Sequence, residues 1–194
     1  MTTRPPSRRL ARSLAGLAML ASLTSLTGCV TQQILPYHAS VANQMKLGSV
    51  PPTARFQVAS NESQPSDVQT IVRTVRIQAP GDGSWSTYLN QALRTELTTS
   101  GNYDASAPLQ IEGILTEVHI FDGSAELTAR FVVRRDQSVR YDKVLHVDER
   151  WDTQFLGALA ASDGMNQTTA VFQDLLRKLF EDPDFIKAAQ QSGT

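Results

Sequence analysis

Cys29 is the residue with the most distinctive chemistry in this sequence, because it is the only cysteine among 194 residues. It follows a stretch with four arginines, residues 4–12, and an apolar run over residues 14–26. This order is typical of a secretory signal. A single cysteine excludes an internal disulfide, and an unpaired thiol in an exported chain is open to oxidation. Conversion of the Cys29 sulfur to a thioether would remove that liability.

The apolar run predicts a leader that is cut off, because a permanent helical span needs about 20 predominantly apolar residues. The run ends in Leu26-Thr27-Gly28-Cys29, which resembles the lipobox of bacterial lipoproteins. The resemblance implies that the Cys29 sulfur receives a diacylglyceryl group, that cleavage falls between Gly28 and Cys29, and that the new amine is acylated. The alternative is an ordinary secreted protein that is cut at another point.

The location implied by this resemblance is the outer membrane, with the protein facing the periplasm. Several acyl chains on one residue make a stable anchor, whereas a single chain binds a membrane only marginally. Val30, and not Asp, follows the cysteine. This is similar to the enterobacterial pattern for delivery to the outer membrane. Retention in the inner membrane and surface exposure are the alternatives.

The mature chain has the size of one compact domain with a sizeable core, since removal of 28 residues from 194 leaves 166. It keeps 14 of the 18 basic side chains and all 19 acidic ones, a net charge of about −5. A nucleic-acid partner is therefore not expected. Polar composition and Pro36 predict a lipidated tether over residues 29–44. Residues 45–190 are predicted to form a single domain, and residues 191–194 a C-terminal tail.

The first part of the domain predicts one or two strands. One lies either at residues 45–50 or at residues 54–59, because Pro51 and Pro52 forbid a single long central strand. Residues 60–67 have the composition of a loop. A weak alternation over residues 70–78 predicts a second strand, or part of a loop.

A four-turn amphipathic helix is predicted after Gly81-Asp82-Gly83, with Ser84 as its N-cap and Gly101 as its stop. Its apolar stripe indicates that the aromatic residues are core anchors and not a ligand platform. The stripe consists of Trp85, Tyr88, Leu89, Ala92, Leu93, Glu96 and Leu97.

Three strands then form a predicted antiparallel meander. The apolar residues of the first strand, residues 109–121, change register near Gly113, which predicts a bulge there. Asp122-Gly123 predicts a hairpin turn, and residues 125–133 show clean alternation. The chain turns again at residues 135–138 before a third strand that extends to Trp151.

A second main helix is predicted after a loop with Gly157, the run Ala158–Ala161 and Asp163-Gly164. Asp182-Pro183 ends this helix, and residues 184–190 form a short closing helix with Phe185 and Ile186 facing inward. The predicted fold class is α+β, a mostly antiparallel sheet with two main helices on one face.

No residue pattern predicts a catalytic, cofactor or metal site, and the chain is not expected to be an enzyme. The histidines His38, His119 and His146 lie apart, with no metal-ligand spacing. Asp-Gly pairs are interpreted as turns and not as cation sites. These pairs are Asp82-Gly83, Asp122-Gly123 and Asp163-Gly164.

Arg130 and Arg134 share the polar face of their strand and form a candidate patch for an anionic lipid or protein partner. A solvated face is the interpretation that the composition favours. In that interpretation the arginines are balanced by Glu126, Asp136 and Asp142.

The lipobox and three later segments together resemble the small proteobacterial lipoproteins of the YajG type. The later segments are residues 97–103, Leu-Thr-Thr-Ser-Gly-Asn-Tyr, the long strand after Pro108, and residues 175–185, Leu-Leu-Arg-Lys-Leu-Phe-Glu-Asp-Pro-Asp-Phe. The resemblance implies an envelope lipoprotein without known enzymatic activity. Two functions fit it: a binding or scaffolding module in the periplasm, or the auxiliary lipoprotein of an ABC-type lipid transport system.

Overall fold

The computed structural model describes residues 30–61, 63–153 and 157–190. The predicted leader and Cys29 lie outside the described residues, as does the C-terminal tail. The strands are β1 (Val30–Gln33), β2 (Phe56–Val58), β3 (Asp67–Gln69), β4 (Ile71–Val72), β5 (Val75–Gln78), β6 (Leu109–Phe121), β7 (Ser124–Arg135) and β8 (Ser138–Arg150). The helices are α1 (Val41–Leu47), α2 (Trp85–Thr99), α3 (Gly157–Glu181) and α4 (Pro183–Gln190).

The main sheet confirms the predicted α+β class. The strands β6, β7 and β8 form the antiparallel meander, and the Asp122-Gly123 turn connects the first two. On its other edge β6 pairs in parallel with two short strands, with β2 at its start and with β3 near its end. A second, smaller sheet has the order β1-β5-β4.

The core lies between one face of the main sheet and the helices. Helix α2 packs on β6, and α3 packs on β7 and β8. Ser84 caps α2 as predicted, its Oγ accepting a hydrogen bond from the Thr87 N–H. Trp85 and Tyr88 are buried core anchors, and both rings contact Phe172 of α3.

The β-bulge of β6 lies at Thr116 and not at Gly113. The register shifts between Leu115 and Glu117, and Gly113 stays paired with Phe131. Gly113 is instead a place where α2 lies close against the sheet, because a Cβ built there would lie 3.0 Å from the Leu93 side chain. The sequence pattern therefore placed the bulge three residues too early in the strand.

Helix α3 begins earlier than the sequence predicts. Residues 157–164, expected as a loop and an Asp-Gly turn, belong to the helix. Gly164 lies against the small sheet, and a Cβ there would be 3.2 Å from Ile77. A glycine needed for close packing is thus easily mistaken for a turn signal.

The segment from residue 30 to residue 58 differs most from the sequence prediction. Residues 30–44 do not form a tether, since they contain β1 and most of α1. Residues 45–47 are helical, so the strand is the second of the two candidates, Phe56–Val58.

The predicted strand at residues 70–78 is a hairpin of β4 and β5, with Arg73 at a positive φ of 56° in the turn.

Among the helices of the described residues, none is both long enough and apolar enough to cross a membrane.

Candidate functional site

The start of the folded domain lies directly beside the predicted lipid-bearing residue. Cys29 and Gly28 are outside the described residues, but Val30 is the first residue of β1 and pairs with Val75 of β5. The pairing is parallel through Gln33, and the Ile34 N–H continues it with a hydrogen bond to the Gln78 carbonyl oxygen at 3.0 Å. Among the described residues, regular structure therefore starts at Val30, the residue that follows Cys29 in the chain.

A buried carboxylate on α2 fixes the rest of this segment. Glu96 is fully buried, and its Oε1 accepts hydrogen bonds from the Tyr37 hydroxyl at 2.6 Å, the Ser40 N–H at 3.0 Å and the Asn43 amide at 2.9 Å. The Gln44 amide donates to the other carboxylate oxygen at 2.5 Å. We call these five residues the Glu96 clamp. It joins the residues before and within α1 to the middle of the fold.

The clamp also changes the chemistry of its tyrosine. Burial raises the pKa of Tyr37, and the hydrogen bond to Glu96 and the charge of Glu96 raise it further. The Tyr37 hydroxyl therefore stays protonated and remains a donor at any physiological pH. Because four donors replace the water lost on burial, the carboxylate of Glu96 is satisfied inside the fold.

A cavity of about 340 Å³ lies between this segment and α3. Its lining includes the apolar side chains of Ile34, Leu35 and Met165, together with His38 and Thr169. No sequence pattern indicated this cavity, because its two walls are more than 100 residues apart in the chain.

The candidate anionic-partner patch is neutralised by ion pairs. Arg130 and Arg134 lie on the same face of β7, opposite the buried side chains of Leu127, Ala129 and Phe131. Arg130 donates two hydrogen bonds to Asp142, at 2.6 and 2.5 Å, and Arg134 donates one to Glu112 at 2.7 Å. The hydrogen bonds from Arg130 lower the pKa of Asp142.

These ion pairs balance the charges of the two arginines, although the partners differ from those expected. Asp142 was expected and Glu112 was not. Glu126 lies 3.8 Å from His119, and Asp136 lies 3.8 Å from Arg135. Glu112 was missed because β6 and β7 bring it beside Arg134 across the hairpin.

The histidines do not converge. His119 Nε2 lies 2.9 Å from the Asp67 carboxylate of β3. His146 Nδ1 lies 3.0 Å from the Thr128 hydroxyl, and that hydroxyl donates a hydrogen bond to Glu117. His38 is exposed. Over the described ranges, no three His, Cys, Asp or Glu side chains are grouped so that they could hold a metal ion.

Comparison with solved structures finds two similar chains. A Xanthomonas campestris protein of the family DUF330 is 13% identical over 84% of this chain and 98% of its own, with a TM-score of 0.50. A candidate lipoprotein from Caulobacter crescentus is 11% identical over 78% of this chain and 97% of its own, with a TM-score of 0.40.

At 13% identity the likeness to the Xanthomonas protein extends to the fold alone. The sequence matches no family model and no curated protein. The resemblance to the YajG-type lipoproteins stays a prediction.

Proposed function

We propose that this chain is a lipid-anchored envelope protein whose body acts as a non-enzymatic binding or scaffolding module. In this proposal residues 1–28 are removed, Cys29 carries the lipid, and the body faces the periplasm from the outer membrane. The observation that carries the proposal is the position of Val30, which starts β1 directly after the lipobox cysteine. A lipid on Cys29 would be coupled to the body with almost no intervening chain.

The outward-facing side of β6, β7 and β8 is the surface that we propose for partner binding. We call it the open face. It combines paired charges, such as Arg130 with Asp142, with apolar side chains, of which Val144 is exposed. A mixed surface with balanced charge suits a protein partner better than a nucleic acid. The edge strand β8 carries six charged residues, which discourages the pairing of a further strand.

The anchor is tested by Cys29→Ser, which removes the thiol that would accept the diacylglyceryl group. We expect the variant to incorporate no labelled palmitate and to leave the membrane fraction. Mass spectrometry of the wild type should find a mature N-terminus at residue 29 that carries fatty acids. A Cys29→Ser protein that is still cleaved after Gly28 and still fractionates with membranes would contradict the anchor.

The binding role is tested by affinity capture from detergent-solubilised envelopes. The wild-type protein is compared with a soluble form that lacks residues 1–29, so that partners of the lipid and of the body are separated. One reproducible partner captured by both forms supports a binding module. Capture of no partner would indicate a solitary structural role.

The auxiliary lipoprotein of an ABC-type lipid transport system is the second candidate function, and the cavity lined by Ile34, Leu35 and Met165 is the observation that favours it. A cavity of this size, with Ile34, Leu35 and Met165 in its walls, can accept part of an acyl chain. Neighbouring genes for a permease, an ATPase and a substrate-binding protein would support this candidate. Photo-crosslinking of a phospholipid analogue to Met165 would support it as well.

A further inference from the structure

The most exposed large apolar side chains of the described residues all lie in one short segment. They are Val41, Met45 and Leu35, with 79%, 74% and 72% of their surface exposed. Single exposed apolar residues are common on protein surfaces, but three within eleven residues of the chain need an explanation. Val41 and Met45 are four residues apart and lie on the same face of α1, opposite its buried residues Asn43 and Leu47.

The same segment is free of full charges. Residues 30–45 contain no Asp, Glu, Lys or Arg, and the first acidic residue after Cys29 is Glu62. The first charged residue that follows in the chain is Lys46, a cation whose Nζ lies 2.9 Å from Glu181, and the Glu96 carboxylate that contacts the segment is buried. A surface of this kind neither repels anionic lipid headgroups nor requires the desolvation of a carboxylate when it meets a bilayer.

The position of the segment brings it to the membrane if Cys29 carries the lipid. Leu35 is six residues from Cys29 and can lie at most about 20 Å from it along an extended chain. The pairing of β1 with β5 and the Glu96 clamp hold these residues in the fold, so the body cannot move far from its anchor.

We infer that Leu35, Val41 and Met45 form a docking face that lies in the headgroup region of the bilayer that holds the Cys29 lipid. This inference rests on the proposed lipid anchor. The body then lies on the membrane with its helical side down. The open face, on the other side of the main sheet, points into the periplasm, where it is accessible to a protein partner.

The test uses the full lipidated protein in vesicles of phosphatidylethanolamine and phosphatidylglycerol. Because a lipidated Cys29 has no free thiol, an environment-sensitive fluorophore can be attached to Val41→Cys or Met45→Cys alone. Val144→Cys, which is 63% exposed on the open face, is the matched control. We expect lipids with a spin label near the headgroup to quench the fluorophore at residues 41 and 45 at least about twofold more than at residue 144.

The other outcomes separate the docking face from the anchor. Equal and weak quenching at residues 41, 45 and 144 in protein that floats with the vesicles would overturn the docking face and leave the anchor intact. A blue shift at residue 41 without quenching would overturn it as well, because a second protein copy would then cover the face. Protein that does not float, with an unmodified residue 29 by mass spectrometry, would overturn both. Thermal unfolding of each labelled protein confirms that it is folded.

Discussion

Glu96 is the buried residue that accepts hydrogen bonds from the segment before and within α1. The helical periodicity places it on the buried stripe of α2, where a carboxylate is costly unless donors surround it. Its donors, Tyr37, Ser40, Asn43 and Gln44, lie 52–59 residues earlier in the chain. They are neutral groups, and together they replace the hydration shell of the carboxylate. The position of Glu96 was therefore predictable from sequence, whereas its partners were not.

We predict that Glu96→Ala lowers the free energy of unfolding by about 3 kcal/mol, because hydrogen bonds to a charged group are lost and buried donors are left without an acceptor. Urea denaturation of the form that lacks residues 1–29 measures the change. Gln91→Ala, at an exposed position of the same helix, is the control and should change the stability little.

A double-mutant cycle with Tyr37→Phe checks the cause of that loss. If the clamp is responsible, the two substitutions are not additive, and the coupling energy is about 1 kcal/mol or more. Additive effects would mean that Glu96 stabilises the protein in some other way.

Gly113 has one role in the sequence pattern and another in the packing of α2 on β6. The pattern predicted a bulge there, but the space above Gly113 is filled by the Leu89 and Leu93 side chains of α2. The glycine allows the helix to approach the sheet closely. The alternation of apolar and polar residues along a strand predicts which residues are buried, but it does not predict which side chains pack against them.

We predict that Gly113→Val destabilises the protein by about 2 kcal/mol, because its side chain would overlap Leu89, Leu93 and Phe131. Thermal unfolding followed by circular dichroism measures the effect. Ile114→Val, at the next position and on the open face, should cost less. A stable Gly113→Val protein would mean that α2 can move away from β6 at little cost.

The junction of α3 and α4 gives a prediction for the pH dependence of stability. Asp182 accepts hydrogen bonds from Lys143, from the Asp184 N–H and from the Tyr141 hydroxyl at 2.9–3.0 Å. Burial by itself would raise the pKa of Asp182, but these hydrogen bonds lower it below its ordinary value of 3.8. The ionised form is therefore favoured in the folded protein.

The direction of the pH dependence follows from the lowered pKa of Asp182. Above pH 3.8 the stabilisation by Asp182 is fully present, and it is lost as the pH falls through the lower folded-state pKa, because the unfolded chain takes up the proton first. We predict that Asp182→Asn is less stable than the wild type at neutral pH, and that the difference shrinks below pH 3.8. Urea titrations at several pH values measure it, with the exposed Asp152→Asn as the control. A difference that does not change with pH would contradict the role of the ionised carboxylate.

The parts of the fold that the sequence predicted well are those whose elements pair with neighbours in the chain. The meander β6-β7-β8, the hairpin at Asp122-Gly123 and the helix after Ser84 each depend on neighbours close in the chain. The N-terminal segment depends on distant partners, such as β5 for β1 and Glu96 for Tyr37. Its polar composition is that of a linker, and only the long-range contacts make it part of the domain.

This difference leads to a prediction about truncation. A tether can be deleted without cost to the domain, but deletion of residues 30–45 removes the buried side chains of Ile34 and Tyr37 and deprives Glu96 of its donors. We predict that a protein beginning at Val30 folds cooperatively, whereas one beginning at Lys46 loses at least about 3 kcal/mol of stability from the two side chains alone. Limited proteolysis and calorimetric unfolding distinguish the two proteins. Equal stability would show that residues 30–45 are dispensable for the domain and that they act as a flexible linker to the lipid anchor.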